Sequence, residues 1–119
     1  MSHSVLEQVS PQAATLQDLF TVPPGYSADI ASVSICNTTG VDRIVRLAIV
    51  KGGGATVSAS YVLYDAALPP KMTLEWSISE DLRLGGGDTI RIYADAAGVA
   101  FGVFGTTDAV QSSTSLMGA

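Results

Sequence analysis

An all-β fold is the class this sequence predicts: an antiparallel two-sheet sandwich, jelly-roll or Greek-key in type, with extended terminal arms. Three observations predict it. Apolar and polar residues alternate with period two through most of the chain. Gly- and Pro-rich turns divide that pattern into segments of five to ten residues. No stretch keeps the three-to-four spacing of an amphipathic helix across about ten residues, and parallel crossovers need such helices. At 119 residues the chain has the length of one domain. A chain of this size buries about two-thirds of its unfolded surface without disulfides or metals.

The segments follow in order. Residues 1–14 read as an N-terminal arm, with room for one helical turn at Val5–Val9. Residues 15–105 hold the strands, and residues 106–119, rich in Ser, Ala and Gly toward the end, read as a C-terminal arm or tail. Thr15–Val22 runs into the Pro23-Pro24-Gly25 turn. Asp29–Asn37 sets Ala31, Val33 and Ile35 on one face and Ser32, Ser34 and Cys36 on the other. Asp42–Lys51 is apolar on parts of both faces. Val57–Asp65 follows the Gly52-Gly53-Gly54 break. Met72, Leu74, Trp76 and Ile78 alternate with Thr73, Glu75, Ser77 and Ser79 in the most regular half-buried pattern of the chain. Leu82–Leu84, Thr89–Ala94 and Val99–Val103 complete eight segments, consistent with an eight-stranded sandwich.

Charge narrows the partners. Six Lys and Arg against eleven Asp and Glu leave a formal net charge of −5. The cations are scattered among acids, so nucleic acid, which must have its phosphates neutralised, is not an expected partner. The same holds for an anionic membrane surface. No apolar run reaches the length of a membrane span. Charged residues are 14 %, against about 25 % in an average soluble domain. Mean hydropathy is +0.35. Such a composition implies apolar area beyond what one core hides, and partners that cover it. The start of the chain lacks a basic segment and apolar core of the secretory kind, which suggests synthesis in cytoplasm. Asn37-Thr38-Thr39, a formal glycosylation triplet, is then read as a turn.

No constellation points to catalysis, a cofactor or a metal site. His3 is the single histidine and lies in the expected arm, away from any nucleophile it would activate. Cys36 is the single cysteine and is read as a half-buried strand residue. Lys51-Gly52-Gly53-Gly54 has its lysine before the glycines, the reverse of a phosphate loop, and no helix follows. Asp65, Asp88 and Asp95 stand at strand ends, where Asp caps turns. Trp76 is read as core. A carbohydrate module would need an exposed aromatic strip, and the cleanest candidate disappears if Met72, Leu74, Trp76 and Ile78 all face inward. Tyr26, Tyr61, Tyr64 and Tyr93 have one apolar and one polar end and suit the rim of a subunit interface. Val5, Leu6, Val9, Val110 and Leu116 join them as interface candidates on the expected arms and tail.

Leu19–Tyr26 (LFTVPPGY) resembles the LYTVPAG opening of small structural proteins of tailed bacteriophages. Ser34-Ile35-Cys36-Asn37-Thr38 is similar to a VCNT segment of that group. Leu63-Tyr64-Asp65 with Leu68-Pro69, the stretch Leu82–Ala94 with its Gly-Asp-Thr-Ile-Arg-Ile-Tyr-Ala ending, and Val99–Gly105 resemble further segments in the same order. Pro24 stands where Ala is usual, and Gly85–Gly87 is an expanded turn. The resemblance implies a virion component made in the host bacterium. It does not fix which one; low charge, the all-β pattern and these segments together suggest a capsid decoration (cement) protein that bridges major capsid protein subunits, a homotrimer with residues 1–14 and 106–119 making many of its outside contacts. A tail, baseplate or fibre-associated role with host-glycan contact is the alternative.

Overall fold

The computed structural model describes residues 4–110, and of residues 78–81 the backbone alone. Eight strands form the described chain: β1 (Ser4–Val9), β2 (Gln17–Thr21), β3 (Tyr26–Asn37), β4 (Arg43–Val50), β5 (Tyr61–Leu68), β6 (Thr73–Leu84), β7 (Thr89–Ala94) and β8 (Val99–Ala109). They make two antiparallel four-stranded sheets, ordered β1-β8-β3-β6 and β2-β7-β4-β5. β1 pairs with β8, β2 with β7, β3 with β6 and β4 with β5, so the chain is one long hairpin wrapped into two layers. The wrap adds the β3–β8 and β4–β7 pairings. This is the two-sheet sandwich that the alternation and the turns predict.

The inward faces of both sheets fill the space between them. Val33 and Ile35 of β3, Val45 and Leu47 of β4, Ile90 and Ile92 of β7, and Phe101 and Val103 of β8 are all buried. Each set sits two residues apart, which puts it on one side of its strand. Leu74 and Trp76 are half-buried against this core. Burial of apolar area on this scale is the main driving force for the fold.

Bulges account for most departures from simple alternation. In β3 the register shifts between Ile30 and Ser32, so Ala28 and Ile30 point inward before Ala31, and Val33 and Ile35 after it. Gly105 pairs with Ile30 at this kink, and a β-carbon on Gly105 would run into the carbonyl oxygen of Asp29. In β1 the shift lies between Val5 and Glu7. Leu6 and Val9 are therefore both half-buried against the core despite their three-residue spacing. The helical turn expected at Val5–Val9 is thus an edge strand, because a bulge in a strand imitates helical spacing. Likewise β8 runs on through Ala109, paired with Tyr26–Asp29, so residues 106–109 belong to the sheet and not to a tail.

Elsewhere the segments shift. β5 begins at Tyr61, after a single 3-10 turn at Ser58–Ser60, and continues past Asp65 to Leu68. Asp65 adopts a left-handed φ of 51°, where a bulge sits opposite Arg46. The two segments expected at 72–79 and 82–84 are one strand, β6. Met72 precedes it and is exposed.

Candidate interaction surfaces

The two outer faces of the sandwich differ in what covers them. On the β2-β7-β4-β5 sheet the chain covers itself. Ala48 and Val50 are buried yet stand outside the core between the sheets. The segment 51–60 returns to this face, where Arg91 on β7 holds it. Its guanidinium donates through Nη1 to the Gly54 carbonyl (2.7 Å) and the Thr56 hydroxyl (2.9 Å). Its Nε donates to Asp18 Oδ1 on β2 (2.9 Å). Three acceptors on two segments converge on one planar donor, a geometry that suits arginine rather than lysine.

Beside this lies an arginine–tyrosine cluster. The Arg46 guanidinium stands 4.4 Å from the ring centres of both Tyr64 and Tyr93, and its Nε donates to Asp65. Tyr61 meets Tyr64 edge-on, 4.9 Å between centroids. The bond to Asp65 raises the Arg46 pKa above its ordinary value, with burial opposing. A cation held between two π faces, each attracting it, is fixed in orientation. A groove of about 430 Å³, lined by Thr56, Val57, Ser58, Tyr61 and Tyr64, opens next to it.

Among the described residues, the outer face of the β1-β8-β3-β6 sheet has no such cover. Ser32, Ser34 and Cys36 of β3 and Ala100, Gly102 and Phe104 of β8 point outward, and none carries charge. Phe104 lies across Gly102: a β-carbon there would come 3.3 Å from the ring. A glycine facing an aromatic on the same strand face lets the ring lie flat on the sheet. Beside it is a shallow hollow of about 450 Å³, reached by Gln8, Ser34, Cys36 and Ala100. The two-pronged ion pair of Arg83 with Asp29 (2.9 and 3.0 Å) closes this area beyond the bulge.

The interface candidates fall into groups. Tyr61, Tyr64 and Tyr93 converge on Arg46, far apart in sequence and joined by the β4–β5 and β4–β7 pairings. Val5, Tyr26 and Val110 are exposed along the C-terminal half of β8: Val5 beside Phe104, Tyr26 beside Ala109, and Val110 bonded to the Gly25 carbonyl (2.8 Å). Leu6 and Val9 are turned toward the core. Leu116 and His3 lie outside the described residues. Arg46 and Arg91 were not among the candidates. Their strand positions gave no sign of the loop and rings that meet them.

The remaining polar residues have structural partners. Asn37 is fully buried and donates to the carbonyls of Val41, Leu68 and Pro69 (2.8–3.1 Å), while its Oδ1 accepts from Thr39. Its amide is committed to tying strand ends together, in keeping with the turn reading of Asn37-Thr38-Thr39. Asp88 accepts from the Gly52 and Gly85 amides and joins the two glycine loops, and Asp95 accepts from the Ile44 amide. Among the described residues no group of three His, Cys, Asp or Glu side chains could hold a metal ion.

No protein-family model and no curated protein sequence matches the chain. Among solved structures, a chain of infectious bursal disease virus, Gx strain, is similar over 88 % of this chain at a TM-score of 0.50 and 14 % identity. Two crystal structures described as a pentameric capsid protein isolated from metagenomic phage sequences align over 91 % of it, at TM-scores of 0.35 and 0.30 and identities of 16 % and 14 %. The chain spans 30 % of the first protein's length and 61 % and 62 % of the other two. At such identity the first likeness is one of fold: a two-layer β sandwich that also occurs within a virus structure.

Proposed function

We propose that this chain is a virion structural protein, and specifically a capsid decoration protein that bridges and stabilises major capsid protein subunits. We read the wrapped hairpin as a jelly roll, a fold that serves viral capsids but also lectins, so fold alone does not select the role. The observation that carries the reading is the outer face of the β1-β8-β3-β6 sheet, whose two central strands present no charge between Ser32 and Cys36 and between Ala100 and Phe104. Central strands that present Ser, Cys, Ala, Gly and one flat Phe gain little from water and much from being covered. A protein whose work is adhesion needs such a face; one that works alone does not. The phage-like segments at 19–105 agree with this role. Copies associate with one another, and the segments before Ser4 and after Val110 supply contacts to the shell.

The test is binding of purified full-length protein to empty expanded phage shells, with bound copies counted per particle. Hundreds of copies per shell are expected. A handful of copies, located at the tail, would replace the decoration role by the tail-associated one. The groove beside Tyr61 and Tyr64 favours that second reading, since two tyrosine rings with the Thr56 and Ser58 hydroxyls suit a sugar's alternating apolar and polar faces. Removing residues 1–12 is not a clean test of an arm, because it deletes β1.

A further inference from the structure

We propose that the groove beside Tyr61 and Tyr64 is a binding site for a neutral oligosaccharide, held by the two rings and by the Thr56 and Ser58 hydroxyls. The proposal rests on the second reading of the preceding section, which it sharpens to a built site and a ligand class.

Strand β5 is shaped to bring the rings together. Tyr61 and Tyr64 stand three residues apart, and a regular strand would turn them to opposite faces. Two bulges prevent this. Between the pairs Val45–Ala66 and Leu47–Leu63, β4 supplies Arg46 alone while β5 supplies Tyr64 and Asp65. Between Leu47–Leu63 and Ala48–Tyr61, β4 supplies nothing while β5 supplies Val62. The rings meet as a result, 4.9 Å apart between centroids and inclined at 76°. The first of these bulges holds Asp65 at its left-handed φ of 51°, which non-glycine residues seldom adopt. Bulges at sheet edges serve to re-aim side chains in this way, often beside a site.

Two rings set nearly at right angles make a corner. A sugar ring offers C–H bonds on its apolar face, whose positive hydrogens are drawn to the electron-rich face of an aromatic, and hydroxyls around its rim. Tyr64 is 60 % exposed, and Arg46 already fixes its orientation, so little side-chain freedom is lost when a ligand arrives. The polar groups come from the segment that Arg91 holds. Thr56 accepts from Arg91 and keeps its own proton to give, and Ser58 is exposed on the 3-10 turn. The volume of about 430 Å³ lies in the range of small-ligand sites. Charge sets the class of sugar. None of the lining residues is ionised at neutral pH, and the Arg46 cation is met by Asp65 and two rings. A chain of net charge −5 repels an acidic sugar.

The experiment titrates the full chain with maltotriose, cellotriose and tri-N-acetylchitotriose as neutral probes and trigalacturonate as the anionic one, read by tyrosine ring resonances. At least one neutral probe is expected to shift Tyr61 and Tyr64 at millimolar concentration while Tyr26, on the other sheet, stays in place. Trigalacturonate is expected to bind at least about tenfold more weakly. Tyr64→Ala should weaken the neutral probe about tenfold or more, Ser58→Ala less, and Tyr26→Ala not at all. Should Tyr64→Ala fail to fold, Tyr64→Leu keeps bulk and removes the ring face. Three results overturn the proposal: no neutral probe moves the two rings, trigalacturonate binds as tightly, or binding survives the loss of the Tyr64 ring. Location in the particle is scored separately. Sugar binding by a chain that coats shells in hundreds of copies ends the tail role and leaves the site. A tail-located chain that ignores every neutral probe ends the site and leaves the tail role.

Discussion

The outer face of β2-β7-β4-β5 and the outer face of β1-β8-β3-β6 belong to the same sandwich and share one core, yet they meet solvent differently. On the first, Arg91 and Arg46 gather a loop, three tyrosines and two aspartates over the sheet. On the second, the two central strands present small uncharged residues and a flattened phenylalanine. A low-charge chain has few cations to spend, and two of its six are placed where the protein covers itself. The difference teaches that sparse charge is a distribution and not only a total. The central strands of the second face are where it is missing.

Three substitutions probe this contrast. The largest effect is expected at the seam beneath the bare face. Gly105→Ala places a β-carbon into the Asp29 carbonyl, where backbone and not a flexible side-chain tip must move. A loss of about 3 kcal/mol or more is expected, seen as a lowered urea midpoint. An unchanged midpoint would mean that the β3 bulge yields easily and that this sheet is no rigid platform. Next comes Arg91→Ala, which frees the Gly54 carbonyl, Thr56 and Asp18 together. It should cost about 1–3 kcal/mol, since hydrogen bonds from a charged donor are lost from a mostly covered site. Hydrogen exchange should quicken in residues 51–60 and stay unchanged in β3 and β8. Exchange that quickened equally in both sheets would erase the distinction between a covered face and a bare one.

Much of this architecture is legible in the sequence, and the misses have physical causes. Eight strands are expected and eight are found, but the sets differ: β1 is absent from the expected set, and β6 is counted twice. In β1 the bulge at Leu6 hides a strand behind a three-residue spacing. In β6 the interruption reflects register: Ser77 pairs with Ser32 and Leu82 with Ile30, so residues 78–81 answer Ala31 alone. Period-two reading cannot follow a strand through an excursion of that kind. The tyrosines were visible as amphipathic residues, but their meeting around Arg46 depends on pairings between strands far apart in sequence. The bare face was half visible: Ser32, Ser34 and Cys36 alternate with Val33 and Ile35 in plain sight. That β8 would lie alongside and add Ala100, Gly102 and Phe104 is a matter of topology, which alternation does not encode.

The smallest effect is expected from Arg46→Leu, and it separates two uses of an arginine. Arg91 fastens a segment of chain, whereas Arg46 orients rings that are already held by their strands. Tyr64 is 60 % exposed, so little buried structure depends on the cation beside it. An arginine stays charged through any physiological pH, so the contact is a constant of the surface rather than a switch. Leucine keeps some apolar contact with Tyr93 but removes the cation–π attraction and the partner of Asp65. The thermal midpoint should hardly move. The ring resonances of Tyr64 and Tyr61 should shift and sharpen as Tyr64 gains freedom, while those of Tyr26, on the other sheet, stay in place. A fall in the midpoint as large as that of Arg91→Ala would show that the tyrosine cluster is part of the cover itself. The covered area would then extend across β5.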